Sequence, residues 1–408
     1  MAARLCPLVT NRSPRFRLLI PAVPNVNPRR HHVKTINSSI NDTNVPETDL
    51  FSPVEIGPYA LTSRIVMAPL TRARSPESIA TSMMREYYAQ RASAGLIISE
   101  GLNISPQAVG YAFTPGIWTA EQVESWRPVT SAVHDKGGRI FAQLWHVGRV
   151  SHPDVQLDGT LPVAPSAVRP NVEAFTAEGK KPALTPRALR IDELPGIVAD
   201  YEQAARNALE AGFDGVEIHA ANGYLLDQFM RDGANKRTDA YGGSVENRIR
   251  LTLEVTKAVA AICDGGRTGL RISPVSTASD LSDSNPEPVF TALVDELNNV
   301  DIAYLHVVEG VTGGSRSVEG GFDLNILRQR FNGLYMANNG YDLDLALSAR
   351  RSNSADLIAF GRPYIANPDL VTRLEQDAPL NPFDGATAYG GGAEGYIDYP
   401  FLAVNTPD

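Results

Sequence analysis

Three side chains that can polarise a carbonyl group and deliver a proton stand close together in the stretch His219-Ala-Ala-Asn222-Gly-Tyr224. A histidine and an asparagine three residues apart can both donate to one oxygen as negative charge builds on it. Tyr224 supplies an acid: with a reference pKa near ~10 it stays protonated at neutral pH and can give its proton to a carbanion-like carbon. In isolation, His-x-x-Asn serves equally well to tie down a loop, so the surroundings must decide. Elsewhere, polar and glycine residues fall at or near the ends of short apolar runs. Thr71 offers a hydroxyl, and Gly101 lets a flat ligand lie against the backbone. Gln143 can both donate and accept at the edge of a heterocycle. Arg271, between Leu270 and Ile272, is a guanidinium with no acidic neighbour in sequence, which a bound anion would satisfy. Asn338-Asn339-Gly340-Tyr341 and Gly361-Arg362 close the series, and suit a phosphate held by backbone N–H groups and a bidentate arginine.

Positioning these residues requires a repeating scaffold. Apolar runs at 65–67, 96–99, 139–144, 215–218, 270–273, 302–306, 334–337 and 357–360 read as buried strands. Between them lie stretches with helical spacing, at 82–94, 121–136, 192–211, 244–263, 286–298 and 343–351. Strands alternating with helices in this number predict an α/β fold, a (β/α)8 TIM barrel, in which catalytic side chains collect at the C-terminal strand ends and loops seven and eight hold phosphate. A doubly wound dinucleotide fold would carry Gly-x-Gly-x-x-Gly after its first strand, and none follows 65–67. An N-terminal β-hairpin, 54–56 with 60–61 around Gly57-Pro58-Tyr59, is expected to plug one end. The Pro-containing insertion 151–190, between strand three and helix three, is expected to cap the mouth.

Composition narrows the partners. With 408 residues, 43% of them hydrophobic, the chain can bury a large core. A net charge of −9 argues against nucleic acid or an anionic membrane surface and for small molecules. Cys6 and Cys263 are too few for a disulfide scaffold, an iron–sulfur cluster or a cysteine-rich zinc site, and Cys263 reads as a small buried apolar residue. His134, His146, His152 and His306 lack ligand spacing and are read as structural or surface residues, so no metal site is expected. Residues 1–41 carry seven Lys or Arg and no Asp or Glu, the composition of an organelle transit peptide, for a plastid first and a mitochondrion second. Residues 42–50 read as a linker, 51–402 as the barrel and 403–408 as a tail.

Beyond these readings, the chain resembles the Old Yellow Enzyme family of flavin-dependent ene-reductases over 51–402. The resemblance rests on Ala68-Pro-Leu-Thr-Arg72, Gln143-Leu-Trp-His-Val-Gly-Arg149, His219-Ala-Ala-Asn-Gly-Tyr-Leu-Leu-Asp-Gln228, Gly361-Arg-Pro-Tyr-Ile-Ala-Asn-Pro-Asp369 and Gly395-Tyr-Ile-Asp-Tyr-Pro400. It implies non-covalent FMN, with Pro69, Leu70, Thr71, Gly101, Gln143 and Arg271 at the isoalloxazine and Gly340, Gly361 and Arg362 at the phosphate. It further implies that NADPH or NADH reduces the flavin and that an α,β-unsaturated carbonyl compound then takes hydride from flavin N5. His219 and Asn222 would bind the carbonyl oxygen, Tyr224 would protonate the α-carbon, and Tyr389 would line the substrate pocket. Either a monomer or a homodimer is compatible with this reading. Ser273-Pro-Val-Ser-Thr-Ala278 departs from the family form, in which glycine and an aromatic are usual. Trp145 is read equally as a pocket or a core residue. Two other readings stand beside this one: a phosphate-binding lyase or isomerase barrel without flavin, and a flavin-binding protein without turnover. A dienoyl-thioester reductase on the same barrel would need a cysteine cluster that this chain lacks.

Overall fold

The computed structural model describes residues 49–403. Eight strands close into a parallel barrel: β1 (Ile65–Met67), β2 (Leu96–Asn103), β3 (Ile140–Trp145), β4 (Gly215–Ala220), β5 (Thr268–Ile272), β6 (Tyr304–Val308), β7 (Leu334–Asn338) and β8 (Leu357–Phe360), with β8 pairing back onto β1. Nearly every strand residue is buried, because a parallel strand here faces the barrel interior on one side and the helices on the other. The expected (β/α)8 architecture is therefore the observed one. The outer layer includes α1 (Ser82–Gln90), α2 (Ala120–His134), α3 (Leu194–Glu210), α4 (Val245–Cys263), α5 (Pro286–Leu297), α6 (Asn325–Arg330), α7 (Leu343–Arg351) and α8 (Leu370–Glu375). Their starts follow local chemistry: Thr119 and Gln122 form a reciprocal capping box on α2, and Thr81, Ser244 and Asp342 cap α1, α4 and α7.

Two apolar clusters hold the barrel. The larger lies between strands and helices and includes Met84, Trp126, Tyr201, Phe290 and Tyr364. The smaller fills the barrel floor with Val66, Leu96, Ile98, Phe141, Met336 and Leu357, and Ile56 and Leu61 of the N-terminal hairpin close it. That hairpin pairs Val54–Ile56 with Tyr59–Leu61 antiparallel. It sits so close to the start of β5 that a Cβ on Gly57 would lie 2.1 Å from the Gly266 carbonyl oxygen, at a φ of 50° that glycine tolerates best.

Several strands run further than the apolar pattern predicts. β4 extends through His219 to Ala220, because the ladder with β5 continues as His219 opposite Arg271 and Ala220 opposite Ile272. β2 extends to Asn103 with a register shift between Ile98 and Gly101, so Glu100 and Gly101 lie within the strand rather than beyond it. Polar residues end an apolar run in sequence without ending a strand whose inner face is polar. The 151–190 insertion forms a hairpin, Glu173–Thr176 with Gly179–Pro182, and a two-residue parallel pair, Val163–Ala164 with Arg187–Ala188. It reaches the mouth through Phe175, whose carbonyl accepts from Ala112 N–H at 2.9 Å and whose ring lies 5.9 Å from Tyr111. The expected targeting segment 1–41, residues 42–48 of the expected linker and tail residues 404–408 lie outside the described residues.

Candidate active site

A cavity of about 750 Å3 opens at the C-terminal ends of the strands. Its walls bring together residues that are distant in sequence: Pro69, Leu70 and Thr71 after β1, Asn222 after β4, Arg271 on β5, Gly340 after β7, Gly361 and Arg362 after β8, and Tyr389 near the C-terminus. His219, Tyr224, Gln143 and Gly101 stand behind this lining. His219 neighbours Arg271 across the β4–β5 ladder. The rings of His219 and Tyr224 lie 5.0 Å apart, edge to face. Gln143 pairs with Gly101 across β2–β3 and donates from Nε2 to Glu217 Oε1 at 2.8 Å. The space a side chain on Gly101 would take is filled by the Trp145 indole, 2.5 Å from the position of a Cβ. Trp145 in turn meets Tyr224 edge to face at 4.9 Å, which puts it beside the site rather than in the helix-facing core.

By alternation along β5, Arg271 must face either the barrel interior or the helix layer, and its contacts lie on the barrel interior. Its Nη2 donates to Asn338 Oδ1 at 2.9 Å, and Asn338 Nδ2 donates to the Ala359 carbonyl at 2.7 Å. Arg271 Nε and His219 Nδ1 are buried with no partner among the described residues. Two orphaned nitrogens of this kind are costly unless a ligand supplies hydrogen-bond partners. Arg362 donates to the Gly313 carbonyl at 2.8 Å and has no carboxylate partner among the described residues. Gly340 adopts φ 65°, and a side chain on Gly361 would meet only Leu70, at 3.6 Å, so both backbones stay open to the cavity. A flat, anionic, phosphorylated group such as FMN fits this donor set: a guanidinium with a spare donor at one end, glycine backbone and an arginine bonded only to a carbonyl among the described residues at the other.

Electrostatics keep the candidate acid and the imidazole neutral. Burial, reinforced by the Arg271 and His306 charges, pulls the His219 imidazole well below its usual value. At neutral pH its ring therefore carries one N–H and no charge. Burial pushes the Tyr224 phenol well above its usual value, aided by Tyr111, whose hydroxyl lies 3.0 Å from Tyr224 Oη. Tyr111 itself is pushed up to about 12 by burial.

Other residues of the site carried little sequence signal. Tyr111 lies 113 positions before Tyr224, and Thr312 and Gly313 come from the loop after β6, where no strand-end pattern marks them. Asn338 stands in the stretch singled out above, but its bond to Arg271 follows from barrel closure alone. Glu217 could have been read, since a carboxylate inside an apolar run must face something polar. It bonds Gln143, Tyr304 Oη (3.2 Å) and His306 Nδ1 (2.8 Å).

Fold and site together define a barrel oxidoreductase built around a phosphorylated ring cofactor. Residues 49–381 match the model of the NADH:flavin oxidoreductase / NADH oxidase family. The chain is 45% identical over 361 residues to 12-oxophytodienoate reductase 1 of Oryza sativa subsp. japonica, across 86% of this chain and 93% of the relative. Morphinone reductase in complex with tetrahydroNAD superposes with a TM-score of 0.83 at 50% identity, covering 88% of this chain and 99% of that one. The old yellow enzyme homologue of Zymomonas mobilis gives 0.84 at 48% identity, over 87% and 100%. The chain belongs to the Old Yellow Enzyme family and is an FMN-dependent oxidoreductase that draws on a nicotinamide reductant. A flavin-free lyase or isomerase barrel is thereby set aside.

Proposed function

We propose that the protein is an ene-reductase that reduces the C=C bond of α,β-unsaturated carbonyl compounds. The observation that carries this reading is Asn222 on the cavity wall, with a neutral imidazole and a protonated phenol, His219 and Tyr224, packed together just behind it. When bound, FMN supplies the hydride, taken from NADPH or NADH and delivered to the substrate's β-carbon. Pro69, Leu70, Thr71, Gly101, Gln143 and Arg271 would hold its ring system, and Gly340, Gly361 and Arg362 its phosphate. Arg271 would also offset negative charge on the reduced ring.

The chain's own residues act on the substrate. His219 and Asn222 donate to the carbonyl oxygen; each bond strengthens as enolate charge develops, and so lowers the barrier rather than merely tightening binding. Tyr224, kept protonated by burial, gives its proton to the α-carbon. Tyr389, largely exposed, borders the entrance and contributes surface rather than chemistry. Names among the relatives, 12-oxophytodienoate and morphinone reductase, agree with a conjugated ketone as the substrate class. The test is anaerobic. Purified protein should be yellow, bleach with NADPH or NADH, and recover its colour with 2-cyclohexenone as cyclohexanone forms. Bleaching without recovery by any enone would leave a flavoprotein of different chemistry, or one without turnover.

The basic, acid-free composition of residues 1–41 supports delivery to a plastid. A fluorescent protein fused behind those residues should enter plastids, and mitochondrial or diffuse fluorescence would contradict this destination.

A further inference from the structure

The departing segment after β5 finds its use around Asn222. Ser273 Oγ accepts from Asn222 N–H at 2.7 Å, and Ser279 Oγ donates to the Asn222 carbonyl at 2.9 Å. These bonds hold the backbone of Asn222 at φ 61°, a left-handed conformation that asparagine tolerates better than most residues. The side chain is held separately. Thr312 Oγ1 donates to Asn222 Oδ1 at 2.7 Å and lies 2.9 Å from Ser276 Oγ. Ser276 Oγ already accepts from Thr312 N–H at 3.2 Å and from Ala278 N–H at 3.3 Å, which leaves its own proton to be given to Thr312 Oγ1. Protons therefore run one way, from Ser276 to Thr312 to the Asn222 oxygen. The loop that carries Thr312 is held on both sides of that residue. Asn339 Nδ2 donates to the Glu309 and Val311 carbonyls at 2.7 and 3.0 Å, and Arg362 donates to the Gly313 carbonyl.

An asparagine amide has two faces of opposite hydrogen-bonding character, and only its partners decide which one a ligand meets. We infer that Thr312, oriented by Ser276, is a positioning residue that locks the Asn222 amide with its oxygen turned to the protein and its NH2 turned to the cavity. Released from Thr312, the amide can rotate its oxygen toward the substrate carbonyl, where two acceptors repel each other. Placing this work in hydroxyls of the β5 and β6 loops gives the segment 273–279 a role in polarity rather than in the bulk of the pocket rim. The inference rests on the reading of Asn222 as a carbonyl donor.

Thr312→Val keeps the shape and removes the hydroxyl, Thr312→Ser keeps the hydroxyl, and Asn222→Ala removes the amide. All are compared as FMN-loaded full-length enzyme with 2-cyclohexenone. Thr312→Val should lower kcat/KM about 10- to 100-fold, part of the loss expected for one oxyanion donor. Thr312→Ser should return to within about threefold, and Thr312→Val should add nothing in an Asn222→Ala background. Parental activity in Thr312→Val beside a strongly impaired Asn222→Ala overturns the inference alone. Parental activity in Asn222→Ala overturns the carbonyl-donor reading as well. If Thr312→Val fails to accumulate as folded protein, Ser276→Ala takes its place. It should lose about 3- to 10-fold in kcat/KM, with that loss abolished in the Asn222→Ala background; additive losses would overturn the inference.

Discussion

Glu217 and Glu100 are both fully buried, yet the barrel treats them in opposite ways. Glu100, on β2, accepts from Tyr88 Oη at 3.3 Å and from the Arg72 amide at 3.4 Å. Burial outweighs these partners and pushes its carboxyl up to about 7. Glu217, on the inner wall of β4, pays the same desolvation, but the His306 and Arg271 charges and the Gln143 and His306 bonds outweigh it and hold the carboxyl below its usual range. One carboxylate is part of a bonded network, and the other is only partly satisfied. The difference extends to the wall itself. Strands β3 to β7 point Gln143, Glu217, Arg271, His306 and Asn338 at one another. Strands β8, β1 and β2 fill the floor with Leu357, Val66, Leu96 and Ile98, which need only volume. The polar network is thus drawn from β3 to β7, above an apolar floor that β8, β1 and β2 share with Phe141 of β3 and Met336 of β7.

The contrast can be broken most severely at Glu217. Glu217→Ala strands Gln143, Tyr304 and His306 in the interior and should cost about 3–5 kcal/mol of stability by urea denaturation, since each buried polar group left without its partner costs about 1–3 kcal/mol. A loss under about 1 kcal/mol would mean that the network carries little energy.

Glu100 sharpens the comparison through pH. Burial raises its folded-state carboxyl to about 7 from the usual 4.5, so the folded protein holds the proton more tightly than the unfolded chain. The associated stability is complete below about pH 4.5 and is lost as pH rises toward 7, on the order of 3 kcal/mol in all. Glu100→Gln cannot ionise. Its stability relative to the parent should therefore increase between pH 4.5 and 7 and level off above, whereas a difference independent of pH would contradict the assignment. Glu217 itself carries the opposite sign: its contribution is present above about pH 4.5 and falls away in acid.

The smallest effect is expected on the apolar floor. Leu96→Met conserves volume and should cost less than about 1.5 kcal/mol, with enone turnover unchanged. A much larger loss, measured the same way, would show that this side is as specific as the polar wall.

These regions also differ in how far the sequence revealed them. Apolar runs and helical spacing located the eight strands and the principal helices, because burial on both faces leaves an uninterrupted aliphatic signature. Strand ends near the site were misjudged where the inner face turned polar, at Glu100, His219 and Trp145. Asn222, Arg271 and Gly361 were legible as candidates because polar and glycine residues at strand ends have few structural reasons to be there. Tyr111, Thr312 and the Asn338–Arg271 bond were not legible as parts of the site, since each depends on loops or strands brought together only when the barrel closes. The serines of 273–279 were visible as a departure from the family pattern, but their use required seeing Asn222 between them.

The most direct test of the account is to separate the two half-reactions in Tyr224→Phe. The FMN-loaded variant is reduced anaerobically with NADPH and then mixed with 2-cyclohexenone, with flavin absorbance followed in each step. The account predicts bleaching within a few-fold of the parent rate, and recovery of colour slowed by about 10²- to 10⁴-fold, the range typical of a lost general acid. Recovery at the parental rate with full formation of cyclohexanone would show that the proton comes from elsewhere and would contradict the role given to Tyr224.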